Sequence, residues 1–154
     1  MILRGRDLSE FELRVVGYQF PDIVGDEWDA NWLVVEVRVA PVDERPWRSI
    51  DPSLLTWEVE RLSNSLEALA SGRAVEEGED FVEPNLRFEV VQRDEDIITI
   101  RVYFELESRP PWFFADAAVM DDLWIDLRVD NEDLRAAAED LRRDLAKFPP
   151  RAGN

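Results

Sequence analysis

The chain has 154 residues, with 35 acidic against 18 basic side chains, a formal net charge of -17 and neither cysteine nor histidine. Such a field repels nucleic-acid phosphates and anionic lipid and attracts basic partners. The missing residue types remove disulfides, thiol nucleophiles, imidazole bases and His/Cys metal sites.

A hydrophobic fraction of 45% separates the chain from disordered acidic tails, and its length suits one domain over 1–154. Arg4, Arg6 and Asp7 interrupt the start before any apolar run develops, so no signal peptide is expected. Nowhere do about 18 apolar residues run together, as a spanning helix requires. The expected location is the cytoplasm.

Phe11, Leu13 and Val15 alternate with Glu12 and Arg14 as a half-buried strand does. It ends at Gly17-Tyr18-Gln19-Phe20-Pro21, and residues 22–31 form an acidic loop around Trp28. A second strand follows, with Leu33, Val35, Val37 and Val39 on one side and Trp32, Val34, Glu36 and Arg38 on the other. Pro41 and Pro46 bracket a turn region.

The segment from Asp51 to Gly72 reads as the central helix. Leu55, Val59, Leu62, Leu66 and Leu69 share one stripe, with Glu58, Arg61 and Glu67 outside it. Asp51 is the expected N-cap, Pro52 the first helical residue, and Gly72 the residue just past the end. The most acidic run follows, Glu76-Glu77-Gly78-Glu79-Asp80.

Leu86, Phe88 and Val90 make a third strand, Asp94-Glu95-Asp96 a hairpin turn, and Ile98 to Leu106 the longest strand. A long connection containing Pro110, Pro111, Trp112, Phe113 and Phe114 leads to a fifth strand of Leu123, Ile125, Leu127 and Val129. The last element is a helix capped by Asp130, with Leu134, Ala138, Leu141, Leu145 and Phe148 along its stripe and Pro149-Pro150 as its stop. This order predicts an α+β fold: a mostly antiparallel five-stranded sheet with both helices packed on its one apolar face.

Chemistry is sparse. The glycines build neither a dinucleotide fingerprint nor a phosphate loop, and no serine sits in a nucleophile elbow. Asp26, Asp29 and Asn31 invite a calcium loop, but the sharp-turn glycine and the closing Glu are missing. A carboxylate pair for glycoside hydrolysis is the residual enzymatic reading, and 35 acids bring pairs together whatever the chain does. We therefore expect no catalytic residue, no metal and no cofactor.

Two features stand above this background. The acidic stretches 22–29, 76–80 and 94–96 read either as solvated loops that keep the protein soluble or as a decoy surface that occupies a basic groove. Asp26, Glu27, Asp29, Glu76, Glu77, Glu79 and Asp80 are the expected partner contacts, with Trp28 as apolar anchor. Trp32, Tyr103 and Trp124 are expected on the sheet face opposite the helices, either covered by loops or serving as a self-association interface. Arg38, Arg101 and Arg128 alternate there with Glu36, Glu105 and Asp126, as cross-strand ion pairs would.

Several short motifs, taken in order, resemble the WapI family of bacterial immunity proteins. They are Gly17-Tyr18-Gln19-Phe20-Pro21, Asn31-Trp32-Leu33, Asp51-Pro52-Ser53-Leu54-Leu55-Thr56-Trp57-Glu58 and Glu83-Pro84-Asn85-Leu86. Phe104-Glu105-Leu106-Glu107-Ser108 with Pro110-Pro111-Trp112, and Phe148-Pro149-Pro150-Arg151, complete the set. The resemblance implies a non-enzymatic cytoplasmic protein that binds and neutralises the toxin domain of a contact-dependent competition system. For the family's namesake that domain is a nuclease acting on tRNA. Joined to the charge and the acidic loops, it predicts a basic toxin partner, a nuclease, whose substrate groove is occluded. The alternative is a homodimer formed through the Trp-bearing face.

Overall fold

The structure, a computed structural model, describes residues 1–75, 78–113 and 122–151. Glu76, Glu77 and Phe114 lie outside these residues. In chain order the elements are β1 (Ile2–Arg4), β2 (Glu10–Tyr18), β3 (Trp32–Ala40), β4 (Trp47–Leu55), α1 (Thr56–Ala70), β5 (Gly78–Asp80), β6 (Leu86–Arg93), β7 (Ile98–Phe104), β8 (Leu123–Val129) and α2 (Asn131–Lys147). The class is α+β as expected, but the single five-stranded sheet is replaced by two four-stranded antiparallel sheets, β1-β2-β3-β4 and β5-β6-β7-β8.

The reason for two sheets lies in β4. The chain leaves β3, turns over residues 41–46 and pairs straight back along it, Val39 with Trp47 and Trp32 with Leu55. That occupies the edge of β3 through which a single sheet would have continued. β4 is itself an edge strand, so Pro52 is tolerated there without a donor, opposite Val34 at a register shift.

The helix expected with Asp51 as its cap therefore starts four residues later, at Thr56 with Leu55 before it, and Asp51 and Pro52 are strand residues rather than cap and first turn. The true start is fixed by Glu58, whose carboxylate accepts from the Leu55 N–H at 2.8 Å and from the Val82 N–H at 2.7 Å. Glu58, expected outside the stripe, is buried, its carboxylate held by one backbone donor at the helix N-terminus and one from the segment after β5. Val59, Leu62, Leu66 and Leu69 are buried as the spacing predicts.

At α2 the expectation holds. Asp130 accepts from the N–H groups of Glu132 and Asp133 at 2.9 and 3.0 Å, and Leu134, Ala138 and Leu141 are buried.

One apolar core joins everything. Phe11 of β2 meets Phe88 of β6 edge to face, with ring centroids 5.5 Å apart, and lies 6.1 Å from Phe104 of β7. The helices touch each other, Ser63 donating to the Ala138 carbonyl at 3.1 Å. They do not share one sheet face. Leu62, Leu66 and Leu69 of α1 surround a small cavity with Phe88, Val90 and Ile100 of the second sheet. α2 lies against the first sheet, where Asp144 accepts from the Val15 N–H at 3.2 Å beside a register shift.

β7 stops at Phe104 rather than running through Leu106. The Asn85 carbonyl accepts from the Glu105 N–H and the Ser108 hydroxyl, which turns the chain and leaves Leu106 exposed at φ 48°. No described helix is long and apolar enough to cross a membrane.

Candidate partner-binding face

Trp57 is the second residue of α1 and lies off the buried stripe, so folding the stripe inward leaves its indole at the surface. Trp28 packs on it edge to face, with ring centroids 5.3 Å apart and an interplanar angle of 85°, and remains 53% exposed. The loop that carries Trp28 is shaped by its own acid. One Asp26 oxygen accepts from the N–H groups of Trp28 and Asp29 at 2.8 and 2.7 Å, an Asx turn that leads into a single 3-10 turn at Asp29–Asn31. Glu27 and Asp29 point to solvent, and among the described residues neither has an ion pair. Among those residues no group of three acidic side chains is placed to hold a metal ion.

Two residues far apart in sequence fix this loop to the body. Asn31 is buried; its amide donates to the carbonyls of Glu27 and Arg151 at 2.8 and 2.9 Å. Its oxygen accepts from the Thr56 hydroxyl and the Arg151 N–H, both at 2.9 Å. The Arg151 guanidinium lies 3.5 Å from the centre of the Tyr18 ring and donates to the carbonyls of Phe20, Pro21 and Ile23.

The second acidic stretch reaches the same helix. Arg61, one turn beyond Trp57, donates to Glu79 at 2.7 Å and to the Asp80 carbonyl at 2.6 Å, and Ser65 also donates to Glu79. Glu79 thus faces α1 rather than solvent, while the Asp80 side chain is exposed. The structure brings Asp26, Glu27, Trp28 and Asp29 to the start of α1 and Glu79 and Asp80 to its next turn. Trp57 and Glu60 join them unforeseen. An aromatic residue off the apolar stripe of an amphipathic helix was the signal for Trp57.

A family model described as the immunity protein WapI-like family matches residues 1–149. The chain belongs to that family. No curated protein and no solved structure gives a significant match. In this WapI-like chain the motifs behind the resemblance converge on two junctions, each built on a buried asparagine, Asn31 or Asn85. Tyr18, Asn31, Thr56, Pro149 and Arg151 meet in the knot that fixes the Trp28 loop. Asn85 sits at the other, its amide within 3.5 Å of Asp51 and 3.3 Å of Glu107, while the Trp47 indole donates to the Ser108 carbonyl at 2.9 Å.

Burial, with Glu107 and Glu83 nearby, pushes the Asp51 carboxyl above its ordinary range, against a smaller opposing hydrogen bond from Asn85. A carboxyl raised in the folded state binds its proton more readily there than in the unfolded chain. Its charge therefore costs stability above the folded pKa and costs nothing below the unfolded value of 3.8. Asp51→Asn is expected to raise stability at pH 7 by less than about 1 kcal/mol, because solvent screens much of the effect. The gain should vanish in urea titrations near pH 3.5, and an equal gain at both pH values would contradict this origin.

The Trp-bearing face expected for self-association is not one face in this family member. Trp32 belongs to β3 of the first sheet, whereas Tyr103 and Trp124 are paired neighbours in the second. The expected ion pairs are present in part: Arg101 pairs with Asp126 across strands and Arg38 with Glu36 along one strand, whereas Glu105 pairs with Arg109 and, among the described residues, Arg128 has no ion pair. Arg101 grips Asp126 with two hydrogen bonds of 2.7 and 2.8 Å. Burial works against the charge of Glu36, yet hydrogen bonds from Arg38 and Arg48 outweigh it and hold the carboxyl below its usual range.

Proposed function

We propose that this WapI-like protein neutralises a cognate secreted toxin domain by binding it through the α1 face, without chemistry of its own. The observation that carries the reading is the Trp28–Trp57 pair at the start of α1, with the exposed Asp26, Glu27 and Asp29 in the Trp28 loop and the exposed Asp80 on the strand that Arg61 of the same helix holds. An aromatic centre with a charged rim is the pattern of an interface hot spot. The rim sign and the net charge of -17 select a basic partner.

A nuclease fits that demand best, since its groove must carry cations to bind phosphates. A carboxylate surface can then fill the groove and exclude substrate, and charge complementarity speeds the encounter. The site of action on this reading is the cytoplasm of the producing cell, within a contact-dependent competition system.

The test is capture of the toxin domain encoded by the reading frame beside the gene. Affinity is expected to fall several-fold as salt rises from about 50 to about 500 mM. A complex indifferent to salt, or no complex, would overturn the reading.

A further inference from the structure

We infer that the Trp28–Trp57 pair is a receptor for an arginine side chain of the partner, an inference that rests on the reading just given and assigns the chemistry of the contact. The chain covers its other exposed indoles with its own guanidinium groups. Three tryptophans are exposed: Trp112 at 39%, Trp124 at 43% and Trp28 at 53%. Arg45 lies 4.7 Å from the centre of Trp112, and Arg101 lies 4.8 Å from the centre of Trp124. Among the described residues no guanidinium lies over Trp28 or Trp57, and Trp28 is the most exposed of the three.

The nearest candidate within α1 is withheld from the pair. Arg61 is held by Glu79 and the Asp80 carbonyl. An edge-to-face pair leaves indole face uncovered, and that face is the electron-rich one that attracts a cation. Glu27 and Asp29 flank Trp28 in sequence, and both side chains are exposed.

The second sheet shows what a filled site of this kind looks like. Arg101 lies over Trp124 while both its Nε and one Nη donate to the two oxygens of Asp126. Ring and carboxylate together hold one guanidinium, by stacking on one side and a planar fork on the other. The Trp28 loop offers the ring and the carboxylates without the arginine. Lysine can supply the charge but neither the stack nor the fork, so the site should prefer arginine.

The test uses blocked tetra-arginine and tetralysine peptides titrated into the ¹⁵N-labelled full chain at low salt, following the indole resonances of its six tryptophans. Tetra-arginine is expected to move the Trp28 and Trp57 signals and to leave those of Trp112 and Trp124 in place. Tetralysine should bind more weakly. Trp28→Leu keeps the net charge, so any general attraction survives, and it should lower tetra-arginine affinity about 2- to 30-fold and erase the preference. Glu27→Gln with Asp29→Asn, both on exposed side chains, should weaken binding as well.

Unmoved Trp28 and Trp57 signals, an unchanged affinity in Trp28→Leu, or equal binding of the two peptides would each overturn the inference. The peptide titration judges this inference and toxin capture judges the reading before it, so either can fail alone.

Discussion

Phe11→Ala is expected to lower the unfolding free energy by about 3–5 kcal/mol, the range for deleting a fully buried phenylalanine. Phe11 is 0% exposed, and its ring touches Phe88 and Phe104 across the boundary between the two sheets. Its loss removes apolar contact from both sheets at once. Neither backbone can collapse into the gap, because each is held by its own ladder of hydrogen bonds. Against a typical total of about 5–15 kcal/mol, this is a large part of the margin. Urea unfolding should show a lower midpoint with an unchanged slope. A cost below about 1.5 kcal/mol would mean that the sheets are not joined through this ring.

Asn31→Ala is the second large effect, expected at about 2–4 kcal/mol. The amide satisfies two carbonyls, those of Glu27 and Arg151, and two donors, the Thr56 hydroxyl and the Arg151 N–H. Alanine leaves all four without that partner, the Thr56 hydroxyl at a fully buried position, and an unmet buried polar group costs more than an ordinary hydrogen bond contributes. Local consequences should exceed the global one. Amide exchange across residues 19–31 should accelerate more than exchange in β7, since the knot fixes the loop while the ladders fix the sheet. A stability change within about 0.5 kcal/mol of zero would refute the role given to this side chain.

What could be read from the residues followed from periodicity. Strands β2, β3, β6, β7 and β8 and the stripes of both helices repeat at 2 or 3.6 residues, and each was placed within a few positions. β1 spans only Ile2–Arg4, too short for alternation to show. β4 was hidden because Asp51-Pro52 ahead of Leu54 and Leu55 suits a helix start as well as an edge strand. Periodicity also names strands without naming their neighbours, so it left open that β4 would close off β3 and divide the sheet.

The candidate face divides in the same way. Trp28 was legible as an aromatic residue in an acidic loop, and Asp26, Glu27 and Asp29 came with it. Glu79 carries the same sequence signal as Asp80, yet it turns inward to Arg61 and Ser65. Only the pairing of β5 with β6, Glu79 opposite Phe88 and Asp80 opposite Arg87, separates the two. Asn31 and Arg151 gave no hint of joint action, because 120 residues separate them and periodicity reports only near neighbours.

The Arg151 clasp also sets an order of events during synthesis. The Trp28 loop is translated well before the guanidinium that gathers the carbonyls of Phe20, Pro21 and Ile23, which lies 128 to 131 residues further along the chain. Until residue 151 clears the ribosome, the nascent chain can pair β2 with β3 but cannot lock the loop between them. A polypeptide released before that point would carry the acidic residues and the indoles without their shape, and would be a poor competitor for whatever the finished molecule embraces.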